Sequence, residues 1–182
     1  GIYRSFKAFT HRVADRKILN MKTSSEPLIL IPARYGSIRF PGKPLADIHG
    51  KPMIQHVYEK ATPVSPFVFV ATDDERIFSA AESFGGAAIM TSPDHQSGTD
   101  RCYEAYQHIR QKLDTDFTVV INIQGDEPFI DPEQIRQLAA CFNEAATDIA
   151  TLVKKIGKEE ELWDPNKVKV VFSQQGNALY FS

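Results

Sequence analysis

The fold is decided by residues 28–44, LILIPARYGSIRFPGKP, where a short apolar strand runs directly into a loop rich in glycine and proline. Leu28–Ile31 is apolar at every position, which is typical of a parallel strand covered on both faces. The loop at residues 32–44 contains two glycines, three prolines and three cations: Arg34, Arg39 and Lys43. Because glycine lets backbone N–H groups turn toward an anion and the cations add positive charge, this loop indicates a cradle for a polyphosphate.

Two better-known phosphate-binding motifs do not fit this loop. A Walker A loop has four residues between its glycines and a hydroxyl residue that binds magnesium. Here five residues separate Gly36 from Gly42, and Pro44 stands at the hydroxyl position. The glycine fingerprint of a dinucleotide-binding turn is also absent from the sequence. An arginine-rich surface turn remains the alternative interpretation.

Strands and helices alternate along the chain from Leu28 onward. The clearest helix is Thr99–Leu113, in which five side chains fall on one apolar stripe: Cys102, Ala105, Tyr106, Ile109 and Leu113. This alternation predicts an α/β fold with a Rossmann-like, doubly wound, mostly parallel sheet and ligands at the carboxyl ends of its strands. The other predicted helices are Met53–Ala61, Asp74–Phe84 and a segment after Asp131, and the other strands are Phe67–Ala71, Ala87–Met90, Val119–Ile123, Ile149–Val153 and Val168–Phe172.

Composition excludes several classes of protein. The chain has 182 residues, 42% of them hydrophobic, and a net charge of −2, so it is neither a typical nucleic-acid binder nor a disordered chain. No apolar run approaches the roughly 20 residues of a membrane span. Two cysteines predict a reducing, cytoplasmic location. Residues 1–20 are rich in arginine and lysine, and we interpret them as an N-terminal extension dispensable to the fold, with residues 21–182 as one domain.

Three further loops carry polar residues at predicted strand or helix ends. Ala71 and Thr72 lie where their backbone groups could bind a base or ribose, and Asp73 follows them. Asp74 is better explained as the cap of the next helix. The Ser97–Thr99 segment precedes a helix and is able either to accept an anion or to cap that helix.

The last of these loops, Gln124–Pro128, follows the predicted strand Val119–Ile123. Asp126 lies at the carboxyl end of that strand and is the candidate ligand for Mg²⁺ on the phosphates of a nucleotide. Gly125 permits a close approach of the backbone. Solvated acids in an ordinary turn remain the alternative.

Together the four loops resemble those of the 3-deoxy-manno-octulosonate (Kdo) cytidylyltransferases. The similar stretches occur in the same order from about Leu28 to the last residue. The chain resembles this family more closely than it resembles the related CMP-sialic acid synthetases. The similar stretches are Ile31–Arg34, Ser37–Leu45, Gly50–Ile54, Val70–Asp73, Met90–Thr91, His95–Arg101, Asn122–Pro128, Asn166–Val171 and Ala178–Ser182.

The resemblance implies a nucleotidyltransferase-type sheet and the reaction CTP + Kdo → CMP-Kdo + pyrophosphate, which activates the sugar for lipopolysaccharide synthesis. It implies that Arg34 and Lys43 act on the triphosphate, that Gln124 contacts the sugar and that Asp126 binds Mg²⁺. The further nucleotide contacts that it implies are Ala33, Ser37, Arg39, Ala71, Thr72, Asp73, Ser97, Gly98, Thr99 and Arg101. Activation of another acidic sugar (a sialic acid or an amino analogue of Kdo) and a non-catalytic CTP-binding module are the alternatives.

The C-terminal end carries a separate expectation. Residues 173–177 predict a turn that leads into a last strand, Ala178–Ser182. The resemblance implies that family members continue beyond this strand with a second metal-binding aspartate, most sugar contacts and much of a homodimer interface. We therefore expect the 182 residues to bind CTP weakly and to be nearly inactive in transfer.

Overall fold

The computed structural model describes residues 7–9, 22–36 and 40–182. The helices are α1 (Met53–Ala61), α2 (Glu75–Ser83), α3 (Gly98–Leu113), α4 (Pro132–Ala140) and α5 (Glu159–Trp163), with short 3₁₀ helices at Lys43–Leu45 and Cys141–Asn143. The strands are β1 (Lys7–Phe9), β2 (Lys22–Ser24), β3 (Leu28–Ala33), β4 (Asp47–Ile48), β5 (Lys51–Pro52), β6 (Val68–Thr72), β7 (Ala88–Met90), β8 (Thr115–Phe117), β9 (Val120–Asn122), β10 (Ile149–Ala150), β11 (Val170–Phe172) and β12 (Ala178–Phe181).

A six-stranded sheet in the order β10-β1-β9-β3-β6-β7 forms the centre of the fold. β9, β3, β6 and β7 are parallel, whereas β1 runs antiparallel to β9 and β10. Leu28 and Leu30 of β3 join a buried cluster with Ala105 and Ile109 of α3. Ile29 alternates with them and is also fully buried, so both faces of β3 are covered. The predicted α/β class with a mostly parallel sheet is confirmed.

Local sequence signals placed the helices well. α1 has the predicted bounds, and Asp74 caps α2 by accepting a hydrogen bond from the backbone of Arg76. α4 begins at a capping box in which Asp131 and Gln134 satisfy each other's backbone N–H groups. The apolar stripe of α3 is correct except at Leu113, which is 37% exposed because the helix ends there and the chain turns through Asp114 in the left-handed region.

Several predicted boundaries are wrong. The strand expected at Ile149–Val153 is only Ile149–Ala150, and the strand expected at Val168–Phe172 begins at Val170. Both segments lie at sheet edges, where hydrophobicity alone does not fix pairing. The short pairs β2–β8 and β4–β5 and the helix α5 were not predicted from the sequence.

The chain divides into two compact units, one within residues 6–151 and another that includes residues 152–182. The second unit contains α5 and the hairpin β11–β12, in which Val170 pairs with Phe181. The predicted last strand is therefore confirmed as β12. β1 of the first unit lies inside the predicted N-terminal extension; the dispensability of residues 1–20 and the boundary at residue 21 stay predictions.

No helix among the described residues is both long and apolar enough to cross a membrane. Both cysteines are free thiols. Burial raises the pKa of Cys102 to about 12, so this thiol stays protonated and is a packing residue.

Candidate active site

A cleft of about 180 Å³ opens at the carboxyl ends of β3 and β9, against the first turn of α3. This is the edge at which parallel α/β sheets bind their ligands. Six residues predicted from the sequence meet here, together with Pro32, His95 and Gln96. The six are Ala33, Arg34, Ser97, Gly98, Arg101 and Gln124.

Two glycines bring the walls of this cleft together. A Cβ atom on Gly125 would lie 3.0 Å from the carbonyl oxygen of Pro32, and one on Gly98 would lie 3.3 Å from the Pro32 ring. Both contacts are tighter than a Cβ atom usually makes, so the segments after β9 and before α3 pack closely against the end of β3. The predicted close approach at Gly125 is confirmed.

Lys43 and Asp126 do not line the cleft, but they form an ion pair beside it, because Asp126 lies two residues after the lining residue Gln124. The Lys43 Nζ atom donates to Asp126 Oδ2 at 2.6 Å, and the two side chains are 36% and 41% exposed. Gly42 directs the chain into the 3₁₀ helix that begins at Lys43 by adopting a φ of 73°. An exposed pair of this kind contributes about 0–1 kcal/mol to stability, so both groups remain available to a ligand.

Arg101 forms a second ion pair, which is buried. Its guanidinium lies 2.9 Å from Asp73 Oδ2 and donates to Thr91 Oγ1 at 2.5 Å. Thr91 in turn donates through its backbone N–H and its hydroxyl to the Thr72 carbonyl. Arg101 thus joins the ends of β6 and β7 to α3, while it also lines the cleft.

Ala71 and Thr72 are fully buried in β6. Ala71 pairs with Pro32 of β3 and with Ile89 of β7, and the Thr72 hydroxyl accepts the backbone N–H of Asp74. The structure therefore shows these two residues in the sheet, and their contact with a base or ribose stays a prediction.

Ser97, rather than Thr99, caps α3. The Ser97 hydroxyl accepts the backbone N–H of Asp100 at 3.1 Å and donates to its carboxylate at 2.6 Å. Thr99 lies half-buried in the first helical turn. Ser97 thus both caps the helix and lines the cleft, and the predicted contacts of Ser97, Gly98 and Thr99 with a nucleotide stay predictions.

The structure adds a pair that the sequence did not assign. A ring nitrogen of His95 contacts the Glu104 carboxylate, which also accepts the Ser92 backbone N–H at 2.9 Å. Burial raises the pKa of Glu104, but the hydrogen bonds from His95 and Ser92 outweigh it, so the pKa is lowered overall. His95 lines the cleft. Its nine-residue separation from Glu104 gave no periodic signal because a loop lies between them.

Two predicted site residues, Ser37 and Arg39, lie outside the described residues. Gln124 reaches the cleft while its amide donates to buried Asn122 at 3.1 Å. Asp126 offers the hard carboxylate oxygen that Mg²⁺ prefers. Among the described residues no three His, Cys, Asp or Glu side chains gather as a metal site, so Asp126 would have to share the ion with oxygens of a ligand.

A parallel α/β sheet with a cationic loop after its central strand and an acid after the neighbouring strand is typical of doubly wound proteins that bind nucleotides. The sequence profile of the family described as Cytidylyltransferase matches residues 28–182, and this chain belongs to that family.

Two relatives within this family are similar to the chain over most of its length. The chain is 56% identical to the 3-deoxy-manno-octulosonate cytidylyltransferase of Parabacteroides distasonis, over 84% of this chain and 61% of that protein. It is 54% identical to an 8-amino-3,8-dideoxy-manno-octulosonate cytidylyltransferase of Shewanella sp. strain ANA-3, over 85% of this chain and 63% of that protein.

The structure of CMP:2-keto-3-deoxy-manno-octonic acid synthetase complexed with CTP is also similar. It aligns with a TM-score of 0.72 at 45% identity, over 87% of this chain and 64% of that one. A cytidylyltransferase from Leptospira borgpetersenii, with a TM-score of 0.52 at 23% identity, shares the fold. The chain spans less than two thirds of the length of these curated relatives.

Proposed function

We propose that this chain belongs to an enzyme that transfers a cytidylyl group from CTP to Kdo and releases pyrophosphate. The sugar's anomeric hydroxyl attacks the α-phosphorus of CTP, a new phosphorus–oxygen bond forms, and the bond to the β-phosphate oxygen breaks. The site must therefore hold two anions together and stabilise charge that develops on the leaving pyrophosphate.

The observation that carries the proposal is the exposed Lys43–Asp126 pair beside the cleft. The pair lies in the loops that follow β3 and β9. A lysine is suited to bind the phosphates of a metal–triphosphate, and a carboxylate is suited to bind its metal ion. Lys43 would transfer its interaction from Asp126 to the phosphates when the nucleotide binds. Arg34, which lines the cleft and is exposed, would supply a second positive charge.

The other cleft residues support binding and orientation. Ser97 and Gly98 line the cleft at the N-terminus of α3, an end of a helix that favours anions. Gln124, whose amide donates to Asn122, would contact the sugar. Ala33, Asp73 and Arg101 would form the nucleotide side through backbone and polar contacts.

The residues present fit Mg²⁺ as a cofactor. Asp126 would hold the ion together with phosphate oxygens, and when bound the ion would neutralise charge on the pyrophosphate. Lys43 donates a hydrogen bond to the Asp126 carboxylate and would orient it before that exchange.

The amino analogue of Kdo is the second candidate substrate. The observation that favours it is the similarity, at 54% identity, to proteins named 8-amino-3,8-dideoxy-manno-octulosonate cytidylyltransferase. The amine of the analogue carries a positive charge where Kdo has a neutral hydroxyl. A side chain that contacts this group would therefore determine which of the two sugars the enzyme prefers.

We also place the reaction in the cytoplasm, which suits a chain with two free thiols. A homodimer is proposed for the longer protein. The exposed apolar side chains of β12, Leu179, Tyr180 and Phe181, support a protein contact on that strand.

Pyrophosphate release with CTP and Mg²⁺ tests the proposal. Kdo, 8-amino-Kdo and a sialic acid are compared as acceptors, for the 182-residue chain and for one extended by the family's C-terminal portion. We expect turnover with Kdo in the extended chain and little in the short one. CTP binding without pyrophosphate release in the extended chain would indicate a non-catalytic module, and faster turnover with 8-amino-Kdo would assign the second substrate.

A further inference from the structure

We propose that Arg76 and Tyr35 are positioning residues that hold the cationic loop in its ligand-binding geometry, although neither is expected to touch the nucleotide. This inference rests on the proposed function, because it concerns how Lys43 and Arg34 are presented to a phosphate. It depends on a chain of contacts that runs from the start of α2 to the Lys43–Asp126 pair.

The chain of contacts begins at Asp74, the residue that caps α2. Its carboxylate accepts the backbone N–H of Arg76 at 3.0 Å and also binds the Arg76 guanidinium through two hydrogen bonds, of 2.9 and 2.6 Å. A bidentate pair of this kind fixes the plane of the guanidinium. The arginine guanidinium beside Asp74 lowers the pKa of that carboxyl, so the pair is ionised at neutral pH.

The oriented guanidinium of Arg76 then stacks on Tyr35. The Cζ atom lies 3.3 Å from the centre of the Tyr35 ring, which places the cation directly over the aromatic face. Tyr35 is the residue that follows Arg34. The stack therefore ties the beginning of the cationic loop to the N-terminal turn of α2, a rigid element.

Tyr35 also contacts the far end of the loop. Its carbonyl accepts the Gly42 backbone N–H at 2.8 Å, and a Cβ atom on Gly42 would lie 2.9 Å from the Tyr35 ring. Gly42 is the residue before Lys43, whose amine reaches Asp126. One aromatic ring thus fixes the two ends of the loop, next to Arg34 on one side and next to Lys43 on the other.

This arrangement matters for binding because Arg34 and Lys43 have long, flexible side chains that lose conformational entropy when they bind a triphosphate. If their backbones are already fixed, less conformational entropy remains to be lost on binding. Loss of the stack should therefore weaken nucleotide binding while the sheet and its buried core stay intact. The sequence alone did not indicate it, since Tyr35 lies in the loop after β3 and Arg76 lies in the first turn of α2, 41 positions away.

Four variants of the 182-residue chain test the proposal. Arg76→Ala removes the stack, and Tyr35→Ala removes the ring. Tyr35→Phe keeps the aromatic face and serves as the conservative rescue. Arg136→Ala is the matched control, because Arg136 is a similarly exposed arginine that pairs with Glu133 on α4, away from the loop.

Two quantities are measured for each variant: amide hydrogen exchange at Gly42, whose N–H donates to Tyr35, and the dissociation constant for Mg²⁺-CTP by calorimetry. We expect Arg76→Ala and Tyr35→Ala to accelerate Gly42 exchange and to weaken CTP binding, each by about fivefold. Tyr35→Phe and Arg136→Ala should match the parent chain in both. Unfolding midpoints are recorded alongside.

Each remaining outcome counts against a different claim. Unchanged Gly42 exchange in Arg76→Ala would overturn the stack as an anchor of the loop. Faster exchange with unchanged CTP affinity, or an affinity loss that only follows the unfolded fraction, would overturn the positioning role. A parent chain that binds no CTP would contradict the proposed function and the positioning role with it, while the exchange data would still decide whether the loop is anchored.

Discussion

Two ion pairs join residues that the sequence predicts for the same nucleotide site, yet their surroundings differ. The side chains of Lys43 and Asp126 are 36% and 41% exposed, whereas those of Arg101 and Asp73 are 4% and 18% exposed. Breaking the first ion pair costs little free energy, so both of its side chains are accessible to a ligand. The second is desolvated, shares Thr91 and connects three elements. Residues predicted for one site therefore include an exposed pair that is accessible to a ligand and a buried pair that also connects elements of the fold.

The largest expected effect comes from breaking the exposed pair. In the chain extended by the family's C-terminal portion, Lys43→Ala and Asp126→Asn should each lower pyrophosphate release by about 10³-fold, because Lys43 would stabilise charge on the phosphates and Asp126 would hold the Mg²⁺ ion that does the same. Their free energies of unfolding should stay within about 1 kcal/mol of the parent chain. Near-normal turnover in both variants would contradict the catalytic assignment.

Breaking the buried pair should reverse this pattern. Arg101→Ala leaves the Asp73 carboxylate and Thr91 without their partner, so the free energy of unfolding should fall by about 3 kcal/mol in chemical denaturation. Lys43→Ala is the comparison variant and should not show this loss. Equal destabilisation by the two substitutions would show that the contrast between the pairs is wrong.

Gly125→Ala tests the close approach that brings the Asp126 loop to β3. The added Cβ atom would meet the Pro32 carbonyl oxygen, which belongs to the backbone of a buried strand and cannot move away cheaply. We expect a loss of about 1–3 kcal/mol in the free energy of unfolding. Gly157→Ala is the control, since its Cβ atom would lie an ordinary 3.8 Å from the nearest side-chain atom.

The smallest expected effect concerns pH and the His95–Glu104 pair. Because the pKa of Glu104 is lowered in the folded chain, its contribution is present above the ordinary pKa of a glutamate and is lost as the pH falls through the folded value. Glu104→Gln should therefore cost about 1 kcal/mol near neutral pH, and the difference from the parent should shrink in acid. A difference that stays constant with pH would exclude an ionised Glu104 as its source.

Local signals explain which elements could be predicted from the sequence. The Asp131–Gln134 capping box and the apolar stripe of α3 depend on residues within two turns of each other, and both are present in the structure. The strand β3 could be predicted because Leu28–Ile31 is apolar at every position, but the structure extends it to Ala33, which was predicted to lie in the loop. The strands β2 and β8 could not be predicted, because each forms only by pairing with a strand that is distant in the sequence.

The candidate site was predictable as a set of residues but not as a geometry. The sequence indicated Lys43 and Asp126 separately, but their contact spans 83 positions and follows from the sheet order. The burial of Arg101 was not readable, since arginine is most often exposed. Contacts made across loops, such as His95 with Glu104, depend on a backbone path that no periodicity encodes.

Calorimetric titration of Mg²⁺-CTP into the 182-residue chain and its Lys43→Ala variant tests the central claim most directly, with the free energy of unfolding measured on the same samples. We expect the parent chain to bind CTP and Lys43→Ala to bind at least tenfold more weakly, through the loss of about 1.4 kcal/mol or more of phosphate interaction. Both proteins should have the same free energy of unfolding. No CTP binding by the parent chain, or equal binding by the two proteins, would contradict the central claim.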